Sequence, residues 1–401
     1  MNILVFSYFY PPSSSVGAKR FAHLIENWLI VGHSVELVSA VTTEYSSLDE
    51  TLQIPGKVHY ARAFPLPKSI AYKGIARLLH TLWSKYFVFI DRHEGWIKNA
   101  VETGIGVVPY QEPDVIISTG PPFSSFIAAE RVAAKFGIPL ILDYRDPWST
   151  LITSRFPPPM GSYPGRRMEQ KLISKASGII TCTEHLRDQI VERFPEAAEY
   201  SHVITNGYSR IIAKQHKASD EFIILYAGSF YGSRRLSPLL KGLKKLIAVN
   251  PNLNLKIRVL SESVHDDDLD LFRKAGLENS IDVTGNVPYA SALEEMAKAD
   301  ILYLPSGIDV KYALPYKLFD YLATGRPILA VCSHDSALAK FLTSNDCGYS
   351  CEIQNEDGIA ELLTHIVAGK ALNSTLDIDQ YRWSKLAERY IEIISKAIRN
   401  V

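Results

Sequence analysis

Residues 312–327 read YALPYKLFDYLATGRP, and the order of residue types in this stretch dictates how its surroundings fold. Pro315 stands where a first helical turn begins, since proline's fixed φ suits that position and its missing N–H costs nothing there. Gly325 follows the last apolar position and stops the helix. An apolar run, DILYLP (300–305), precedes the stretch and another, PILAV (327–331), closes it, giving the strand–helix–strand rhythm of a parallel sheet. The backbone N–H groups after Pro315, with the positive end of the helix dipole, suit a phosphate. Lys317 and Asp320 are i, i+3 on that helix and share a face, a cation for phosphate oxygens and a carboxylate for ribose hydroxyls. The competing reading is a surface helix carrying an i, i+3 ion pair.

The same rhythm extends outward in both directions. Short apolar runs at 222–228, 255–260 and 280–285 complete a second-half set with 300–305 and 327–331. A first-half set lies at 2–7, 34–39, 114–118, 139–143 and 178–181, with helices expected near 17–31, 123–136 and 165–176. The Asn206-Gly207 pair between the sets is a turn signal and a domain joint. The expected fold is α/β, with two doubly wound domains, 1–208 and 209–379. The final helix, about 380–401 and carrying Tyr381, Trp383 and Tyr390, is expected to pack back on the first domain. In such sheets ligands bind at the carboxyl ends of strands, so the cleft between the domains is the expected site.

Composition narrows the class. Lys plus Arg and Asp plus Glu both number 43, so no global basic field favours nucleic acid, and a charged ligand must meet a local site. The four cysteines form no CxxC pair, which suits a reducing compartment; Cys347 and Cys351 read as strand-end packing residues. The opening MNILVFSYFY reads as a strand without a basic n-region or cleavage site, and no run approaches the ~18 apolar residues of a membrane span, so neither an export signal nor a span is expected. None of the eleven histidines makes HxxxH, and no metal site is expected. HDDD (265–268) reads as a solvated acidic loop.

The strand exits carry the remaining chemistry. Neither half shows the GxGxxG of a dinucleotide site. Gly17, after the loop YPPSSSV, opens a helix and lets a ligand approach its N-terminus, or is a plain cap. After YAGSFYG, Arg234 and Arg235 stand at a helix start, where the dipole disfavours cations unless an anion is present; a guanidinium meets diphosphate oxygens bidentately. DYRDPW (143–148) packs charges into a buried strand's exit. There Asp146 is a candidate base or charge stabiliser, Arg145 a group holding it or a substrate, and Trp148 an apolar platform; the competing reading is an Arg–Asp pair that pins the loop to a neighbouring domain. STGPPFSS (118–125) offers hydroxyls and a helix start nearby. Residues 68–98 mix basic and aromatic side chains, among them Lys73, Trp83, Lys85 and Phe87, in the composition of an interfacial helix for an anionic membrane surface or of core with solvated lysines.

Together, YPP with Gly17, STGPPFSS, DYRDPW, the NG joint, YAGSFYGSRR, TGNVP (284–288), ADILYLP and PYKLFDYLATGRP resemble the family-4 glycosyltransferases of the GT-B fold over nearly the whole chain. The resemblance implies two Rossmann-like domains and a retaining, metal-independent, hexosyltransferase-type enzyme without cofactor. It implies a UDP- or GDP-sugar donor, a lipid-linked or saccharide acceptor in surface-polysaccharide synthesis, and a cytoplasmic location on the inner membrane face. It further implies that Arg235 and Arg234 contact the donor diphosphate with Lys317 and the N–H groups near Leu318, that Asp320 holds the ribose, and that the backbone near Val287 frames the base. Two positions depart from the family pattern: Tyr312 stands where an acid is common, and Ser229 where an arginine is. A nucleotide-sugar epimerase or hydrolase of the same fold, or a catalytically silent scaffold, stays open as an alternative.

Overall fold

The structure is a computed structural model and describes residues 1–45, 48–64, 74–76, 90–149, 162–215, 220–230, 232–307, 310–370, 372 and 374–399. Most of the 68–98 stretch therefore lies outside the described residues. The chain divides into two compact units, Met1–Thr205 with Trp383–Val401, and Asn206–Arg382.

The first unit is a seven-stranded parallel sheet in the order β3-β2-β1-β4-β5-β6-β7. Its strands are β1 Asn2–Phe6, β2 Ser34–Ala40, β3 Lys57–Ala61, β4 Val115–Gly120, β5 Leu140–Tyr144, β6 Gly178–Thr181 and β7 Ser201–Val203. Strands covered on both faces have no polar side to show, and Ile3, Leu4, Val5 and Phe6 are accordingly all buried. Helices α1 Val16–Ile30, α2 Ile97–Gln111, α3 Ser124–Phe136, α4 Ser162–Ile173 and α5 Glu184–Arg193 belong to this unit. So does the C-terminal helix Trp383–Arg399, whose Tyr390 ring packs edge-on against Trp28 of α1 and whose Ala387 carbonyl accepts from Trp28 Nε1 at 3.2 Å. Tyr381, expected to share that helix, lies before it in a 3₁₀ turn and packs on Phe319 and Phe341 in the second unit.

The second unit is a six-stranded parallel sheet in the order β10-β9-β8-β11-β12-β13. Its strands are β8 Phe222–Ala227, β9 Leu255–Leu260, β10 Ile281–Val283, β11 Ile301–Pro305, β12 Ile328–Val331 and β13 Tyr349–Cys351. Its helices are α6 Ser237–Val249, α7 Asp266–Lys274, α8 Tyr289–Lys298, α9 Tyr316–Thr324, α10 Ala337–Ser344 and α11 Glu356–Val367. In each unit the strand order reverses once, between β1 and β4 and between β8 and β11. The chain leaves both strands of such a pair in opposite lateral directions, which opens a crevice at their carboxyl ends.

The acidic run at 265–268 is not a solvated loop. It enters helix α7, where three aspartates in the first turn favour the positive dipole end, and Asp268 is fully buried.

Candidate functional site

The crevice of the second unit is built by β8, β11 and helix α9. Strand β8 is followed by Gly228, whose φ of 133° is left to glycine and whose N–H donates to the Leu260 carbonyl at 2.9 Å. A Cβ at Gly228 would stand 2.2 Å from Lys317 Nζ, so the missing side chain is what admits the ammonium. Pro315 caps α9, and Gly325 ends it with φ 62°. The Lys317 ammonium, the more enclosed end of a half-buried residue, lies 4.0 Å from the centre of the Tyr226 ring. Tyr226 is itself held, its hydroxyl donating to the Ser229 carbonyl at 2.9 Å and its ring packed on Phe230.

Burial pushes the Lys317 ammonium well below the usual lysine value, and the neighbouring Arg234 guanidinium pushes it further in the same direction. Among the described residues no carboxylate pairs with Lys317. Two cations and a helix N-terminus thus share one crevice, and an anion placed there would relieve the repulsion. Asp320, one turn along α9 and only 3% exposed, accepts a hydrogen bond of 2.6 Å from the Tyr289 hydroxyl at the start of α8.

Three expected contacts have partners within their own unit. Arg235, placed first among the diphosphate contacts by sequence, is spent inside its own unit: its Nε donates to buried Asp268 at 3.1 Å, and Asp268 also accepts from the Leu236 N–H at 2.8 Å. It fixes the entry to α6, and Arg234 is the arginine beside Lys317. The Leu318 amide donates to the Pro315 carbonyl at 3.0 Å, and its side chain is fully buried. Ser229 is exposed and enters through its carbonyl. Val287 packs partly buried on the core of the unit, and Tyr312 is half-buried.

The first unit's crevice is arranged differently. The N-terminus of α1, where Gly17 was expected to admit a ligand, is met by Arg145: a Cβ at Gly17 would stand 2.0 Å from its Nη1. Arg145 Nε donates to Thr119 Oγ1 at 3.1 Å and its Nη2 to the Pro121 carbonyl, so the guanidinium ties β5 to the β4 exit rather than standing open to substrate. Asp146 sits half-buried beside that charge. Trp148 is no exposed platform: it is 1% exposed and stacks on Phe123 at 5.1 Å. Ser124 and Ser125 are fully buried, and the Ser124 N–H donates to Asp91 Oδ2 at 2.8 Å. Gly17→Ala should dislodge Arg145 from Thr119 and Pro121 and cost about 1–3 kcal/mol. All five tryptophans, 28, 83, 96, 148 and 383, fall in the first unit's residue range, so fluorescence-monitored urea unfolding reports this unit; an unchanged midpoint would show that the guanidinium yields freely.

Sequence reasoning missed the most buried charges. Arg20 and Asp143, both with fully buried side chains, pair at 3.0 Å. Arg20 falls on the buried stripe of α1 with Gly17, Phe21, Leu24 and Trp28, and a charge on an apolar stripe was the available signal. Glu169, 2% exposed, accepts from the Ser149 N–H at 3.1 Å, and burial holds its carboxyl above the usual range.

Comparison with known proteins gives these units relatives. The profile of the family described as "Glycosyl transferase 4-like domain" matches residues 17–207, and that of "Glycosyl transferases group 1" matches residues 208–385. A curated glycogen synthase of Mycobacterium tuberculosis (strain H37Rv) is 25% identical over 207 residues, 50% of this chain and 48% of the relative, so the match spans about half the length of each. Among solved structures, a glycosyltransferase from Rickettsia africae superposes with a TM-score of 0.64 at 12% identity, covering 100% of this chain and 99% of the other. WaaG, a glycosyltransferase involved in lipopolysaccharide biosynthesis, gives 0.60 at 12% identity, covering 100% and 99%. The UDP-GlcNAc 2-epimerase from Methanocaldococcus jannaschii gives 0.59 at 12% identity, covering 99% and 100%.

Proposed function

This chain belongs to the family-4-like glycosyltransferases of the GT-B fold, and from that premise we propose that it transfers a hexosyl group, with retention, from a nucleotide sugar to a saccharide or lipid-linked acceptor. The observation that carries the reading is the crevice of the second unit, where Lys317 and Arg234 gather at a helix N-terminus with no carboxylate paired to Lys317 among the described residues. Such a site suits a diphosphate. In the proposed reaction the bond from the anomeric carbon to the diphosphate oxygen breaks, the two cations take up the charge on the departing nucleoside diphosphate, and the acceptor hydroxyl forms the new bond as its proton passes to an oxygen of that diphosphate. Fixed cations supply this stabilisation without a metal. Asp320 binds the ribose, and the backbone around Val287 frames a uracil or guanine base.

On the first unit, Asp146 is the carboxylate we assign to the acceptor hydroxyl. Arg145 is a positioning residue there, since Thr119 and Pro121 occupy its guanidinium. Acceptors of this kind arise in surface-polysaccharide assembly at the cytoplasmic face of the membrane. A second reading, epimerisation or hydrolysis of the same donor, is favoured by the fold likeness to the 2-epimerase. Release of nucleoside diphosphate that depends on added acceptor separates the two.

A panel of UDP-, GDP- and ADP-sugars tests the reading, because a ligand at 100 times its Kd stabilises the folded state by about 2.7 kcal/mol. No thermal shift with any of them would sink it. Within a positive result, Arg234→Ala should weaken diphosphate binding by about 1.5–3 kcal/mol. Arg235→Ala should mainly lower stability, because it leaves buried Asp268 short of its ion pair. The reverse ranking in calorimetric titration would return the diphosphate contact to Arg235.

A further inference from the structure

We infer that Tyr289 is the positioning residue that aims the Asp320 carboxylate at the ribose of the donor; the inference rests on the donor reading above. Tyr289 opens α8 directly after Pro288, at the end of the TGNVP segment, and its hydroxyl reaches across to α9 to meet Asp320 Oδ1 at 2.6 Å. Burial, and the nearby Asp320 charge, push the phenol well above the usual tyrosine value, so the proton stays on the tyrosine and the carboxylate is the acceptor. The direction of the bond is thereby fixed.

A carboxylate offers about four lone-pair positions, and one phenol uses one of them. What the bond removes is rotational freedom: an aspartate at 3% exposure, with its Oδ1 tethered by the phenol, holds its carboxylate plane in a defined direction. Asp320 stands i+3 from Lys317, roughly 4.5 Å along the helix axis. That separation is comparable with the distance from a ribose diol to the phosphate on the same sugar. Tyr289 also touches Tyr316, the first residue of α9. One phenol therefore links the segment proposed to frame the base, the ribose carboxylate and the helix start proposed to bind the diphosphate. A bond that merely joined two helices would affect all ligands of the crevice equally, whereas an aiming bond affects those with a ribose diol.

Isothermal titration of the full chain with UDP and GDP, with their 2′-deoxy forms and with inorganic diphosphate separates these. The wild type should prefer ribose over deoxyribose by at least about tenfold, the value of one hydrogen bond to a charged group. Tyr289→Phe should cut that preference at least about fivefold while inorganic diphosphate binds as before. Asp320→Asn should lose the same preference, and the double variant should lose no more than Asp320→Asn alone. A wild-type ribose preference in Tyr289→Phe overturns the inference and leaves the donor site standing. So does an equal loss of inorganic diphosphate and nucleotide. Absence of any nucleoside diphosphate binding to the wild type overturns the donor reading, and this inference with it.

Discussion

Lys317→Met should lose roughly 10- to 100-fold in affinity for nucleoside diphosphates and yet unfold at a higher denaturant concentration than the wild type. Both effects have one cause. The Lys317 amine is enclosed by Tyr226 and Gly228, faces the like charge of Arg234, and has no paired carboxylate among the described residues, so keeping it protonated costs the folded protein free energy. Methionine keeps the length and apolar stem of lysine and removes that charge, which should add about 0.5–2 kcal/mol to the stability of the second unit. The pH dependence has a definite sign. The native value is depressed below the ordinary 10.5, so between the two the unfolded chain binds more protons, and stability rises with pH across that window. Lys317→Met should flatten that rise. Diphosphate binding, which favours the ammonium, should take up protons above the native value, as titrations in buffers of different ionisation enthalpy would show. The second unit contains no tryptophan, so its transition is read by calorimetry beside the fluorescence transition of the first. A less stable Lys317→Met, or one that binds UDP and GDP as the wild type does, would contradict the assignment.

The helix that carries the proposed donor site was legible because its signals are local. Pro315, Lys317, Asp320 and Gly325 lie on one short helix and its two caps, and proline start, i, i+3 spacing and glycine stop are each read within a turn or two. The central strands were legible for the same reason, since burial on both faces makes them continuous apolar runs. Three strands were not. β3, β7 and β13 lie at or next to sheet edges, β7 and β13 have three residues each, and SHV or YSC carries too little pattern to separate strand from loop. What local pattern could not show for Arg235 is a long-range fact: Asp268, on a different helix, pairs with one guanidinium of the adjacent Arg234 and Arg235. Gly17 is alike: its small size admits Arg145, from another strand exit, which no local pattern shows.

Arg20→Met should be the most damaging substitution in the first unit, at about 3–5 kcal/mol, the cost of breaking a buried ion pair on one side. Asp143 accepts from Arg20 Nη2 at 3.0 Å, from Thr119 Oγ1 at 3.1 Å and from the Tyr390 hydroxyl at 3.3 Å. Arg20 in turn donates to the carbonyls of Ile204 and Thr205 at 2.8 and 2.7 Å. One pair thus fastens α1, β4, β5, the end of the first unit's main segment and the C-terminal helix at a single buried point. Removing the guanidinium leaves a carboxylate and two carbonyls short of a donor at a buried point. The double variant Arg20→Met with Asp143→Leu removes the stranded charge and should recover much of the loss, though the two carbonyls keep the recovery incomplete. Tryptophan fluorescence follows this unit alone, so the comparison of single and double variants is direct. A single variant within about 1 kcal/mol of the wild type would mean that solvent reaches Asp143 in the folded unit, and the network would then be a tether for the C-terminal helix rather than a source of stability.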